Sequence, residues 1–249
     1  SAIPDKTDLI KIAGELSEKF NLKKHSSLKN YWVSADNSEI LFIDSAINSV
    51  NYSIDGFKNP KAYTGSSNPT TEQAIIKAQE FISSVEDWKE LVLEKDLSKE
   101  SEINLIEILF TQKLDDLSLR TSGHAKAPVR IIIGQENNIV RVMATPQFIK
   151  DTKPYGNFDT LSQDEIKRQI IDGKGTVIDV STERIVADQA KVIEKTIMSR
   201  TILEYRYDSK TGLALPYLRL EGTSEVELNN QASVVILIPL IDSKYFVGK

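Results

Sequence analysis

The chain contains no cysteine among its 249 residues. Disulfide frameworks, thiol nucleophiles and thiolate metal sites are therefore excluded together. Histidine is nearly as scarce: His25 and His124 lie far apart, and neither stands in a metal-binding spacing such as HExxH. Phosphate loops are missing too, since neither GxGxxG nor GxxxxGK[ST] occurs. The nearest string, Asp172-Gly-Lys-Gly-Thr176, follows a helical pattern where a phosphate loop follows a strand, and it reads as a helix C-cap with a tight turn. There is no GxSxG elbow, and His124 stands too close to Ser122 to act as its base in a strand-based triad. No run of about 18 apolar residues is present. The start SAIPDKTD lacks the basic beginning and apolar middle of a signal peptide, and reads as trimmed because it does not open on methionine.

Charge of one sign is also missing. Lys and Arg number 31 against 36 Asp and Glu, for a formal net charge of -5. The longest basic cluster is Lys23-Lys24-His25, too little to displace counterions from a polyanion, so no nucleic-acid partner is expected. Acidic pairs such as Asp115-Asp116, and single residues such as Glu183 and Glu194, are nominal acid–base candidates. With 36 acidic residues such neighbours arise by chance, and Asp5, Asp8, Asp36 and Asp44 form no calcium-loop spacing. The expectation is no enzyme activity, no cofactor and no metal.

What is there is a folded chain, 40% hydrophobic and 27% charged. Leu9, Ile12, Ala13, Leu16 and Phe20 recur at helical spacing and predict an amphipathic helix over 8–20. Short strands are predicted at 28–34, 39–43 and 46–54, followed by a turn-rich connection over 57–71. Capping boxes at Thr70 to Gln73 and Ser162 to Glu165 predict two further helices, the second stopping at Gly173. Between them lie a strand-like segment over 103–119, a hairpin of 128–133 with 139–144 across Gly134 to Asn138, and a loop over 146–159. A strand over 176–180 precedes three long strand-prone segments, 197–207, 213–221 and 232–240. The order predicts an α+β fold of antiparallel sheets, each covered by amphipathic helices. Two related α+β modules, 1–125 and 126–249, are the expected division.

One stretch, TGLALPYLRLEG at Thr211 to Gly222, carries both an unusual pattern and the partner-binding candidates. Pro216 cannot donate to a ladder, which predicts an edge or bulged strand. Tyr217, Arg219 and Glu221 alternate with Leu218 and Leu220, so the charged set is expected on a solvent face and the leucines in the packing. Tyrosine and arginine anchor interfaces more often than other side chains, and these three are the predicted docking residues.

The segments TTEQAIIKAQEFI (70–82), APVRIIIG (127–134), NNIVRVMATP (137–146), YGNFDTLSQDEIKRQIIDGKGTV (155–177) and ALPYLRLEG (214–222) together resemble extracytoplasmic domains of the YycH and YycI type, which are also similar to PepSY-like modules. The resemblance covers roughly residues 70 to 225. It departs at Leu215, where such domains tend to carry glutamine, and leaves the region 46–70 without a counterpart. It implies a bacterial, membrane-anchored, extracytoplasmic regulator of a signalling protein, built of helices on antiparallel sheet. The expected function is thus a noncatalytic module that binds a protein or envelope component, tethered by a membrane segment outside this stretch. The competing readings are an envelope-associated hydrolase with a dispersed acidic site and a structural assembly subunit.

Overall fold

Local signals become elements in the computed structural model, which describes residues 6–46, 48–94, 99–100, 105–121, 127–145, 159–181, 195–208, 213–226 and 230–241. The chain runs through α1 (Lys6–Lys19), β1 (Lys23–Lys24), β2 (Tyr31–Val33), β3 (Glu39–Asp44), β4 (Ser49–Ile54), α2 (Lys61–Thr64) and α3 (Thr71–Ser84). Then come β5 (Val92–Leu93), β6 (Lys99–Glu100), β7 (Ile106–Leu114), β8 (Leu117–Thr121), β9 (Val129–Ile133) and β10 (Ile139–Ala144). The last elements are α4 (Gln163–Ile171), β11 (Thr176–Ser181), β12 (Lys195–Asp208), β13 (Leu213–Val226) and β14 (Asn230–Pro239). The loop expected over 146–159 falls almost wholly outside the described residues.

Both capping boxes are formed. The Thr70 side chain accepts the Gln73 N–H while Gln73 reaches back to the Thr70 N–H, and Ser162 with Glu165 does the same. At the far end of α4, Gly173 takes a left-handed φ of 64°. Its N–H donates to Ile170 O, and the Lys174 N–H donates to Gln169 O. This double C-terminal closure is the physical account of Asp172-Gly-Lys-Gly-Thr176.

The Cα framework divides into two compact units, Ala2–Lys113 with Ala127–Lys150, and Leu114–Lys126 with Asp151–Lys249. In the first unit the strand order is β1-β2-β3-β4-β10-β9-β7, with β5 and β6 also pairing β7, and every described pair is antiparallel. The helices supply what one face of this sheet lacks. Leu9, Ile12, Ala13 and Leu16 of α1 are buried, with α1 lying on β3 and β4. Ala74, Ala78 and Ile82 of α3 are buried with that helix next to β9. Beneath them Val50, Tyr52, Ile108, Phe110, Ile131, Ile133 and Val142 complete the core. Each such aliphatic side chain stabilises the fold by about 1.5 to 3 kcal/mol relative to exposure. Phe20 stacks on Tyr52 with ring centroids 3.7 Å apart, and the Tyr52 hydroxyl donates to Glu39 Oε2 at 2.9 Å. Burial and the Glu39 carboxylate together push that phenol above its ordinary range.

The turn between β2 and β3 is held by one carboxylate. Asp36 Oδ1 accepts the Ser34 hydroxyl at 2.7 Å, the Ser38 N–H at 3.0 Å and the Ser38 hydroxyl at 2.8 Å. The Ser34 bond first, then the Ser38 pair, hold its carboxyl at about 2 against an ordinary 3.8. A depressed folded-state value means the stabilisation is fully present above 3.8 and is lost as pH falls toward 2. Followed by the Ser38 amide shift, the turn is expected to titrate with a midpoint near 2. A midpoint at the ordinary carboxylate value would show that the three bonds do not persist in solution.

In the second unit the strand order is β8-β12-β13-β14-β11. The pairs β12–β13, β13–β14 and β11–β14 are antiparallel, but β8 and β12 run parallel. The expected purely antiparallel pairing is thus corrected: the fold is α+β on mixed β-sheet with helices against it. A parallel pair requires a long crossover, here the return from residue 121 to residue 195, which no hairpin signal marks. Between Met198 and Arg200 the β12–β13 register shifts, a β-bulge in β12. Opposite it, Gly222 leaves no room for a side chain, because a Cβ there would lie 2.3 Å from Ile197 O. The α4 helix lies next to β14 yet buries no residue, so the expected cover of a sheet face by residues 162–172 is not what forms.

Candidate functional site

Strands β8, β12 and β13 bring their charged residues together by alternation. Across β12–β13, Arg200 stands opposite Glu221, Ile202 opposite Arg219, Glu204 opposite Tyr217 and Arg206 opposite Leu215. Across the parallel pair, Glu204 stands opposite Ser118 and Arg206 opposite Arg120. Side chains two apart on a strand share a face, so Arg120, Arg200, Glu204, Arg206, Tyr217, Arg219 and Glu221 all lie on one side.

Glu204 is the hub. Its Oε1 accepts the Arg206 Nε–H at 2.7 Å and is also paired with the Arg206 Nη2 group. Its Oε2 lies 2.9 Å from Arg120 Nε and 3.8 Å from Arg219 Nη1. Arg219 turns its other nitrogen to Glu221 Oε1 at 2.5 Å, and Arg200 Nη1 reaches Glu221 Oε2 at 3.9 Å. Two carboxylates therefore link four guanidinium groups. The inner members are removed from solvent: Glu204 is 0% exposed, Arg206 1%, Arg120 3% and Arg219 5%. Burial is the largest influence on Arg206 and lowers it from its ordinary value, while the Glu204 carboxylate opposes that.

The location of Arg219 reverses the sequence expectation for its stretch. Arg219 is buried and ion-paired, and Tyr217 and Glu221 are half-buried beside it. The other face carries Leu203 at 43% exposure, paired with a half-buried Leu218, and Tyr205 paired with Pro216. Packing at Leu218 is thus partial, and Leu220, 3% exposed, is the buried leucine of the stretch. Alternation fixes which residues share a face but says nothing about which face is covered. Pro216 likewise stands in a central strand rather than at an edge. Its C=O accepts the Leu240 N–H at 3.0 Å, beyond the last β13–β14 pair, Tyr217 with Pro239. Since N–H and C=O of one residue point the same way in an antiparallel ladder, the donor that proline lacks would face the end of β14.

Arg120, Arg200, Glu204 and Arg206 escaped the sequence reading. The signal for them was the same-parity spacing of Arg200, Glu204 and Arg206 within a strand whose other parity holds Leu203, Tyr205 and Tyr207. The remaining candidates disperse. Asp115 and Asp116 are exposed and both left-handed, with φ of 48° and 64°, so they are the central residues of the tight turn before β8. Asp44 accepts the Ala46 N–H at 2.9 Å in a local turn. His25 is half-buried and caps a loop. Asp5, Ser122, His124, Glu183 and Glu194 lie outside the described residues. Among the described residues no group of three or more His, Cys, Asp or Glu could hold a metal ion. Nor is any described helix long and apolar enough to cross a membrane.

Arginine stays protonated near neutrality, so the network's cations offer no transferable proton. What the arrangement can do is geometric, fixing three strands in one register through directional, fork-shaped donors. No protein-family model, no curated protein and no solved structure matches this chain.

Proposed function

We propose that this chain is a noncatalytic binding module that engages a protein or envelope component outside the cytoplasm, tethered to a membrane by chain beyond this stretch and regulating a signalling partner. The extracytoplasmic setting and the class of partner rest on the resemblance to YycH- and YycI-type domains. One structural observation supports a docking role: α4 forms as a helix next to β14, with Ile166 half-buried, yet buries none of its residues. It is capped at both ends, and Ile166 and Ile170 fall on one stripe at i, i+4 with Ile171 alongside. None of its residues is buried, and Ile171 is 83% exposed. Nine residues are too few for an isolated helix to persist in water on propensity alone. Caps add about 1 kcal/mol, while an apolar stripe adds its stabilisation only when something covers it. Covering by a partner would supply what the chain withholds, and in this proposal the docking element is α4 in place of Tyr217, Arg219 and Glu221.

The test is Ile171→Asp in the full chain. Thermal unfolding is expected to stay within about 0.5 kcal/mol of wild type, as for exposed sites generally. Recovery of bound proteins from the organism's solubilised envelope fraction, quantified by mass spectrometry, is expected to fall roughly thirtyfold for the specific partner, the effect of losing an interface anchor. Equal recovery by the well-folded variant would remove α4 from any docking role.

A further inference from the structure

The segment from His25 to Asn30 joins β1 to β2 in the first unit, and its base is closed by the His25 N–H donating to Tyr31 O at 2.8 Å. Within it, His25 Nδ1 accepts two backbone donors, the N–H of Ser27 at 3.2 Å and of Leu28 at 3.1 Å. The ring is positioned from outside the loop as well. It stands edge-on to Tyr31, centroids 6.2 Å apart at 88°, and Tyr31 in turn stacks on Phe42 of β3 at 5.8 Å. Residues i+2 and i+3 donating to one side-chain acceptor is the geometry that Asp and Asn use to tie turns. Here an imidazole occupies that place.

An imidazole differs from a carboxamide in one respect that matters. Nδ1 accepts through a lone pair only while it is unprotonated, and in the imidazolium both nitrogens are donors. We propose that His25 is a proton-operated latch on this loop, closed when the ring is neutral and released when it is protonated. Release removes both internal bonds at once and frees Leu28, already half-exposed, together with Lys29. The charged groups on the elements that meet this loop are Lys23 and Lys24 on β1, Lys29 in the loop itself, and Glu39 and Asp44 on β3, whose Ile43 N–H donates to Asn30 O at 3.1 Å. Tyr31 is the remaining titratable neighbour.

The experiment is amide hydrogen exchange read by NMR on the full chain from about pH 8 to about pH 5, with ring shifts reporting the protonation of His25 itself. After correction for intrinsic exchange, protection of the Ser27 and Leu28 amides is expected to fall at least about fivefold as the ring protonates, the equivalent of one net hydrogen bond. Trp32 and Leu41, paired in β2–β3, are expected to keep theirs. His25→Asn retains an acceptor without a proton switch and should stay protected across the range. His25→Ala should be open throughout. Protection that does not change when the ring protonates would overturn the latch, as would an equal fall in His25→Asn.

Discussion

Glu204→Ala is expected to destabilise the second unit by about 3 to 5 kcal/mol, the cost of removing one partner from a buried ion pair. The carboxylate touches Arg206, Arg120 and Arg219, all within 5% exposure, so its loss leaves their guanidinium groups buried without the anion they share. Desolvation of a buried charge without its counter-charge costs more than any single hydrogen bond returns. Glu204→Gln keeps the shape and one acceptor oxygen but not the charge, and it is expected to retain most of the loss. A second change separates charge from packing. If the penalty comes from uncompensated cations, Glu204→Met combined with Arg206→Met should be more stable than the sum of the two single changes predicts. Both tryptophans, Trp32 and Trp88, lie in the first unit, so indole fluorescence does not report directly on the strands around Glu204. Far-ultraviolet dichroism during denaturant unfolding does. A loss under about 1 kcal/mol for Glu204→Ala would mean that water reaches the network in solution.

In the first unit the largest effect is expected at Trp88. It closes the short helical turn Glu86–Trp88 and is 0% exposed. Its ring meets Phe81 at 68° and 6.1 Å, and Phe81 lies 5.4 Å from Phe20, which stacks on Tyr52. The indole therefore ends a chain of aromatic contacts running from Phe81 of α3 through Phe20, just beyond α1, to Tyr52 of β4. Trp88→Ala removes its transfer energy and opens a cavity beside Phe81, for an expected loss of about 3 to 5 kcal/mol. Urea unfolding followed by the remaining Trp32 measures it. A loss below about 1.5 kcal/mol would indicate that the surrounding helices relax onto the site.

Parts of this structure were legible because their causes are local. Thr70 with Gln73 and Ser162 with Glu165 close their boxes within four residues, and the hairpin of β9 and β10 follows from alternation on either side of Gly134 to Asn138. The order of β12, β13 and β14 followed from the same alternation. The parallel pairing of β8 with β12 joins residues 86 apart, Ser118 with Glu204 for one, and no local pattern announces it. Residues 127–150 join the first unit through β10 with β4 and β9 with β7, again pairings distant in sequence. For the candidate site, alternation grouped Tyr217, Arg219 and Glu221 on one face but gave the wrong expectation of exposure. Charge usually marks the wet side of a strand, and that rule fails where enough opposite charge arrives from neighbouring strands. Arg219 is buried because Glu204 and Glu221 come to it. At α4 the failure runs the other way: the apolar stripe predicted burial, but a stripe records only what could be covered.

The bulge at Ser199 and the bare backbone at Gly222 have a further consequence, for chain length rather than side-chain identity. Upstream of the bulge, Ile197 pairs with Thr223, and downstream Arg200 pairs with Glu221, so one supernumerary residue keeps both ends of β12 in phase with β13. Deleting that residue would leave a regular ladder with Met198 opposite Gly222 and Arg200 opposite Glu221, whereas inserting one between Arg200 and Glu204 would turn every later side chain of β12 over with respect to β13. Glu204 and Arg206 would then point away from Arg219, and Leu203 and Tyr205 would take their places among the arginines. Sliding the strands to restore the phase would bring other β12 backbone against Gly222 and demand space that only this pairing leaves. In descent, the hairpin of β12 and β13 is therefore expected to accept exchanges of side chain far more readily than added residues, with insertions gathering in its connections.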